Sequence, residues 1–464
     1  MPQKIVRIVG AGLAGSEAAW QLASRGIAVV LTEMRPSTTT KAHKTAKCAE
    51  LVCSNSFRGA DLTNAVGLLK EELRRSGSLI IATADKAQVP AGGALAVDRE
   101  LFSSLIDQTL REHPLISFRE GEIASLPEYS RVSPLIVATG PLTSPPLARE
   151  LQRLVGATNL AFFDAISPII TDDSIDKNVL FRQSRYDKGT GDDYLNIPLS
   201  KDEYYQFVES VEHGEKFGGH DEVESDAVDN LRPFEGCMPI EEMVSRGKDT
   251  LLFGPMKPVG LTNPHSGERP YAVIQLRQEN REGTLWSMVG FQTRLKHGEQ
   301  QRIFRSLPGM QNAEFVRLGT VHRNTFVDSP KCIWPTLELR EHPGLFLAGQ
   351  ITGVEGYVES TAGGFVAGVN VARVMNGQEP LAFPNDTALG SLMNYISDPD
   401  RKDFQPMNIS FGLMPSYFEE SPDAGPKKKK VDKNTRRLRT AERSLASLKQ
   451  FIESLSQQND SVST

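Results

Sequence analysis

Cysteine is scarce in this chain, with Cys48, Cys53, Cys237 and Cys332 the only four among 464 residues. That is too few for a disulfide framework and suits a reducing compartment. Long apolar runs are missing too. Nothing approaches the ~20 residues a membrane-spanning helix needs, so no membrane role is expected. The start, MPQKIVRIVGAG, has no charged-then-apolar leader and no small-residue cleavage site, which points to the cytoplasm. No internal repeat and no metal-ligand cluster stand out. What is present is ordinary for a globular enzyme: 39% hydrophobic, 24% charged and 7% aromatic residues. The length allows about two domains. The net charge of −6 argues against non-specific nucleic-acid coating, but it is unevenly spread. Residues 427–444 hold nine Lys/Arg against two acids, and 237–331 hold thirteen against nine, so a local basic face remains open.

The apolar periodicity predicts an α/β fold. Lys4–Val9 reads as a buried strand, GAGLAGSEAAWQLASRG as a turn and helix, and IAVVLTEM as a second strand ending in an acid. Residues 43–59 are polar and irregular, which suits a functional loop. Helical spacing returns at 98–113, and PLIVATGPL is a strand running into a glycine turn. From about 165 to 330 this rhythm lapses, then PGLFLAGQITGVEGYVESTAGGFVAGVNVARVM restores it. The expected organisation is a Rossmann-like two-dinucleotide domain (1–165 and 332–415) split by an inserted α+β domain (166–331). A linker and basic amphipathic tail follow at 416–464. In the tail, Leu438, Ala441, Leu445, Leu448, Ile452 and Leu455 alternate by three and four, predicting one helix docked on the body.

Gly10, Gly12 and Gly15 form GxGxxG within GAGLAG, the run Gly10, Ala11, Gly12, Leu13, Ala14, Gly15. The motif alone is weak, but here it lies between a strand and a helix, and Glu33 ends the next strand. Gly10 permits the turn, Gly12 admits a pyrophosphate to the backbone, and Gly15 lets helix pack on strand. Helix amides would face the phosphates, and Glu33 the ribose hydroxyls. Two later segments favour FAD over NAD. ATG, ending at Gly140, and LFLAGQITGVEG, with Gly349, Gly353 and Gly356 before Tyr357, match the closing elements of two-dinucleotide FAD domains. No second GxGxxG of comparable context lies between 150 and 330. NAD(P)H would therefore dock transiently at the flavin.

Cys48 and Cys53 have the C-x4-C spacing of flavin disulfide reductases, which makes redox disulfide chemistry a rival reading. A missing NAD(P) domain and the lack of an HPT-type base motif count against it. The polar CSNSFRG setting is unlike a core for Cys53. Cys237, in RPFEGCMPIEEM, could be activated by helix amides beyond Pro239 or by Arg232, and equally reads as a small buried residue. Cys332 reads as packing. MKPVGL, RPYAVIQLR and VGFQTRLKHG interleave cations with aromatics, which suits phosphate contacts with base or pterin stacking and suits solvated strands equally well. His322 is a stacking or proton-transfer candidate and no less a core histidine.

Taken together, AELVCSNSFRG, VPAGGALAVDR, LIVATGPLTS, EGCMPIEEM, LFGPMKPVGL, RPYAVIQLR, MVGFQT, HRNTF, AGQITGVEGYVES and FQPMNISFGL, with the opening glycine turn, resemble the folate- and FAD-dependent tRNA (uracil-5-)-methyltransferases from about residue 4 to 415. The resemblance implies one-carbon transfer from 5,10-methylenetetrahydrofolate to C5 of a T-loop uridine in tRNA. It also implies hydride from reduced FAD and re-reduction by NAD(P)H. The family's two functional cysteines fall on Cys53 and Cys237, and Cys48 falls outside the pattern. Uracil C5 becomes nucleophilic once a thiolate adds at C6, a role expected of Cys237, while Cys53 would take the C5 proton. Spacing alone leaves these roles exchangeable. Two further alternatives are a wobble-uridine modification flavoprotein, normally a longer chain, and a non-enzymatic flavin-scaffolded RNA-binding module.

Overall fold

The computed structural model describes residues 5–40, 42–156, 160–165, 167–217, 238–319, 321–401, 404–415 and 432–462. Short runs of β-branched and aliphatic residues form a five-stranded sheet, ordered Leu345–Leu347, Leu135–Val137, Ile5–Val9, Ala28–Glu33, Ile116–Glu120. Every pairing in it is parallel. Leu135–Val137 and Leu345–Leu347 are wholly buried, because helices cover the sheet. Chain order reverses beside Ile5–Val9, and a crevice opens there at the carboxyl ends of the strands.

Two helices in this covering layer meet through small residues. Helix Tyr357–Met375 runs against helix Leu13–Ala23, and a Cβ on Gly364 would lie 2.1 Å from the Ala14 carbonyl oxygen. The AGGFVAG stretch supplies this close approach, at a closeness no larger residue permits.

A six-stranded sheet of antiparallel pairings holds Phe181–Arg182, Tyr194–Leu199, Ala272–Gln278, Leu285–Met288, Ile169–Thr171 and Phe315–Arg317 in that order. The chain leads into this part along Leu160–Ala165 and back along Val321–Phe326. These two strands pair with each other, Ala165 opposite Val321 and Leu160 opposite Phe326. The backbone of His322 faces Asp164 in that ladder, and its side chain lies outside the described residues.

The basic–aromatic segments do not form plain solvated strands. Ala272–Gln278 is the buried second strand in from the sheet's end, and Phe291 is core. Much of their apolar content fills the interior of the inserted sheet, while Arg277 and Gln292 line a cavity described below.

The tail residues 433–462 form one helix. Ala441, Ser444, Leu445 and Leu448 are buried, whereas Leu438 is 41% exposed. A straight helix drifts off a 3.5-residue seam, so the first predicted position turns to solvent. Buried Glu72 ties the helix down. Its carboxylate accepts from the Ser444 hydroxyl and from the amides of Ala388 and Leu389, at the start of helix Ala388–Ser397.

A thiol-lined cavity beside a dinucleotide cleft

The crevice is a narrow cleft of about 70 Å³, lined by Gly10, Gly12, Glu33, Thr139 and Leu142 among others. Gly10 has φ +98°, and a Cβ there would meet the Ala138 carbonyl oxygen at 2.5 Å. A Cβ on Gly15 would fall 1.8 Å from the Gly10 oxygen, whereas over Gly12 there is open space within 4 Å. Two glycines are thus needed by the protein itself, and the third keeps room for a visitor. No side chain caps helix Leu13–Ala23 at Gly12, so its first amides are left for a ligand. These features fit the pyrophosphate of a dinucleotide such as FAD.

Ala11, Leu13 and Ala14 are buried behind the turn and shape it from within. Glu33 reaches the cleft but is already engaged. Its carboxylate accepts from the Ala11 amide at 2.8 Å and from Arg35 Nε at 2.8 Å. Burial opposes its ionisation, but the Arg35 bonds and charge and the Ala11 amide outweigh that and hold the carboxyl below its ordinary value. Glu33 therefore stays anionic, with lone pairs left toward the cleft.

Leu142 also lines a second cavity of about 310 Å³, so the two spaces adjoin. This cavity lies between the parallel sheet and the inserted one. Cys53, Arg99, Gly356 and Tyr357 come from the first side, Arg277, Glu279 and Gln292 from the second. Of the other sequence candidates, Gly353 packs against Phe404 and Gly349 against Ala14, each with positive φ, while Gly140 (φ +65°) turns the chain just before the cavity.

The loop carrying Cys53 is clamped. The Tyr357 hydroxyl oxygen accepts from the amides of Cys53 (2.8 Å) and Ser54 (3.0 Å). Arg99 donates to the carbonyls of Leu51 at 3.0 Å and Cys53 at 3.4 Å. Burial, followed by the nearby Cys53 sulfur, raises the Tyr357 phenol, so it remains a neutral hydroxyl. On the far side, Arg277 donates to Asn55 Oδ1 and Ser54 Oγ, both at 2.8 Å, tying the same loop to the inserted sheet. Arg58 pairs with the fully buried Glu359 at the start of helix Tyr357–Met375.

Cys48 is different. It is 1% exposed, and burial together with the Asp107 carboxylate drives its thiol far up, so no thiolate forms. Cys48 and Cys53 form no disulfide, and only Cys53 lines the cavity. The two thiols of the C-x4-C spacing therefore do not share one site. Cys332 donates to the Asp328 carbonyl, and burial pushes its thiol up to about 12. Cys237 lies outside the described residues. The described chain resumes at Met238, and the Ile240 amide bonds the carbonyl of cavity-lining Gln292 at 2.9 Å, where the helix foreseen beyond Pro239 begins.

Arg99, Arg277 and Glu279 were not singled out from the sequence. A usable signal was there: the strand Ala272–Gln278 and the residue beyond it carry Gln275, Arg277, Gln278 and Glu279 in an otherwise apolar run, too many polar groups for a plain core strand.

Fold and site define a dinucleotide-binding protein with a thiol facing a cavity next to its nucleotide cleft. The family described as "Glucose inhibited division protein A" matches residues 5–379. Relatives named methylenetetrahydrofolate--tRNA-(uracil-5-)-methyltransferase TrmFO are similar over nearly the whole length. That of Natranaerobius thermophilus is 54% identical, covering 96% of this chain and 98% of the relative, and that of Geobacter sulfurreducens is 54% identical with the same coverage. That of Desulforudis audaxviator is 56% identical over 88% of this chain and 91% of its own. The chain belongs to this methyltransferase family, within the broader glucose-inhibited division protein A family. Among solved structures, GidA of Aquifex aeolicus shares the fold, with TM-score 0.67, 16% identity, and coverage of 96% of this chain and 73% of that one.

Proposed function

We propose that this protein transfers a one-carbon unit from 5,10-methylenetetrahydrofolate to C5 of a T-loop uridine in tRNA, giving 5-methyluridine. FAD is its resident cofactor, NAD(P)H the reductant, and the cytoplasm its location. The carrying observation is near-full-length identity above 50% to relatives named for this reaction, in a chain that sets Cys53 in a cavity beside a dinucleotide cleft. Among the described residues no helix is long and apolar enough to cross a membrane.

The residues divide the work. Gly10, Gly12 and the uncapped helix amides hold the pyrophosphate, and Glu33 accepts from the ribose. When bound, the flavin supplies hydride to the one-carbon unit. Cys237 adds as thiolate to uracil C6, which makes C5 enolate-like. Cys53, fixed by Tyr357 and Arg99, would remove the C5 proton as tetrahydrofolate leaves from the transferred carbon, and once that carbon has been reduced, loss of the Cys237 thiolate from C6 would restore the C5–C6 double bond.

The deciding experiment supplies unmodified tRNA, NAD(P)H and either labelled methylenetetrahydrofolate or labelled S-adenosylmethionine. Label arrives from the folate alone. Methyl label from S-adenosylmethionine would end this reading.

A further inference from the structure

The basic tail has no part in the mechanism above, yet its helix forms one wall of a groove of about 630 Å³, with the stretch 411–415 as another. Lys433, Arg436, Arg437 and Thr440 line it, spaced by three and four and so set on one helix face. No acidic residue lines the groove. Asp432 is turned back on its own helix, where it accepts from the amides of Asn434 and Thr435. Glu442 follows Lys433 by about two and a half turns and so stands on the opposite face. Lys433 and Arg436 are exposed, without an ion pair among the described residues. Arg437 lies over the Phe411 ring, 5.5 Å from its centre. Arg443 donates to the Pro415 carbonyl at 2.6 Å, fixing the 411–415 stretch to the helix. Three cations gathered in a concave site with no carboxylate call for an anion.

The groove is close to the thiol cavity. Asn408 lines the cavity and Phe411 the groove, and three residues of chain span at most about 11 Å. Farther along, Ile452 and Leu455 face the same space as Phe365, Val369 and Ala372 of helix Tyr357–Met375. The tail helix thus runs beside that helix, with its basic start at the end where Tyr357 enters the thiol cavity. We propose that this groove docks the phosphate backbone of tRNA, gripping the arm beside the target loop while the uridine enters the cavity. This rests on the function proposed above. A file of cations along an open groove suits successive phosphates of a polyanion better than one small anion. Such contacts fix the position of a nucleic acid without reading its sequence, leaving choice of the base to the cavity.

The test measures the Kd of flavin-loaded protein for unmodified tRNA across a salt series, in wild type and in the double variant Lys433→Gln/Arg436→Gln. Both side chains are exposed, so the fold is kept, and an unchanged melting temperature and flavin content verify this. The variant binds tRNA about tenfold more weakly at low salt, and its plot of log Kd against log salt loses about two units of slope, one per cation removed. Its kcat at saturating tRNA and its KM for methylenetetrahydrofolate match wild type. The charge-keeping variant Lys433→Arg/Arg436→Lys retains wild-type affinity and slope, since a phosphate here needs charge. An unchanged Kd and slope in the double variant overturn the proposal, as does a fall in kcat alone. Loss of binding to anionic phospholipid vesicles, with tRNA binding intact, overturns it too and makes the groove a membrane contact. A wild type that neither binds nor methylates tRNA defeats the function itself, whereas an active wild type matched by its double variant defeats only the groove.

Discussion

Cys48 and Cys53 stand five positions apart and share a side chain, yet burial and Asp107 keep one thiol protonated while the other lines a cavity. Environment, not residue type, assigns the chemistry. A 5-fluorouridine tRNA substrate is expected to trap a covalent complex on Cys237, since fluorine cannot leave as the C5 proton does. Cys237→Ala loses both the complex and turnover while retaining flavin. Cys53→Ala keeps the complex but loses at least ~10²-fold in rate, the usual range for removing a general base. Cys48→Ala keeps most activity. A Cys237→Ala enzyme that still forms the complex would move the nucleophile to Cys53, and an inactive Cys48→Ala that is folded and yellow would reopen the disulfide reading. Part of this site was legible in the sequence, because Cys53, the glycine turn and Tyr357 stand in recognisable strings. Arg99, Arg277 and Glu279 were not, because their meaning depends on residues 180 to 222 positions apart meeting across one cavity.

At the scale of elements, glycines that look alike in the sequence do different work. The strand–turn–helix order was readable because a 2-residue period gives way to a 3.6-residue one across GAGLAG. Which helix would lie on which was not, since small residues at 362–368 announce a close neighbour without naming it. The structure separates the two roles through what a Cβ would meet. Gly12→Val intrudes into open space, so the variant is expected to stay folded with near-normal thermal stability but to purify colourless. Gly364→Ala instead drives a methyl against the Ala14 carbonyl and is expected to cost about 1–3 kcal/mol or more by overpacking, with a lower melting temperature. A yellow Gly12→Val protein would refute the cleft assignment, and an unshifted melting curve for Gly364→Ala would refute the tight helix contact.

For the molecule as a whole, the tail helix is tied to the body by a buried carboxylate as well as by its apolar face. Burial raises Glu72 to about 7, against the lowering effect of the Ser444 hydroxyl and two amides. Unfolded, its pKa is near 4.3. Between these values the folded state binds the extra proton, so stability falls as pH rises toward 7, and above 7 the whole penalty is present. The Glu72→Gln variant carries no such proton. Its melting temperature relative to wild type should therefore climb from pH 5 to pH 8, by an amount equivalent to roughly 3 kcal/mol at most. A difference that is flat with pH would place the titration elsewhere. The tail's basic composition was plain in the sequence, but this attachment was not, because one of two adjacent acids within the helix Ala65–Arg75 gives no sign of the two helices it will join.

The paired strands Leu160–Ala165 and Val321–Phe326 have a consequence for how such a chain can be built. By setting residue 165 directly across from residue 321, they make some 155 intervening residues, from the host sheet's point of view, a single excursion that begins and ends at one spot. Closing a loop costs only as the logarithm of its length, so the host would tolerate a short hairpin at that spot about as readily as the sheet it carries. The nucleotide cleft belongs to the host, while Arg277 and Glu279 belong to the excursion. The junction is thus a graft point. A chimaera that exchanged everything between those two strands would keep its dinucleotide and acquire a different substrate wall.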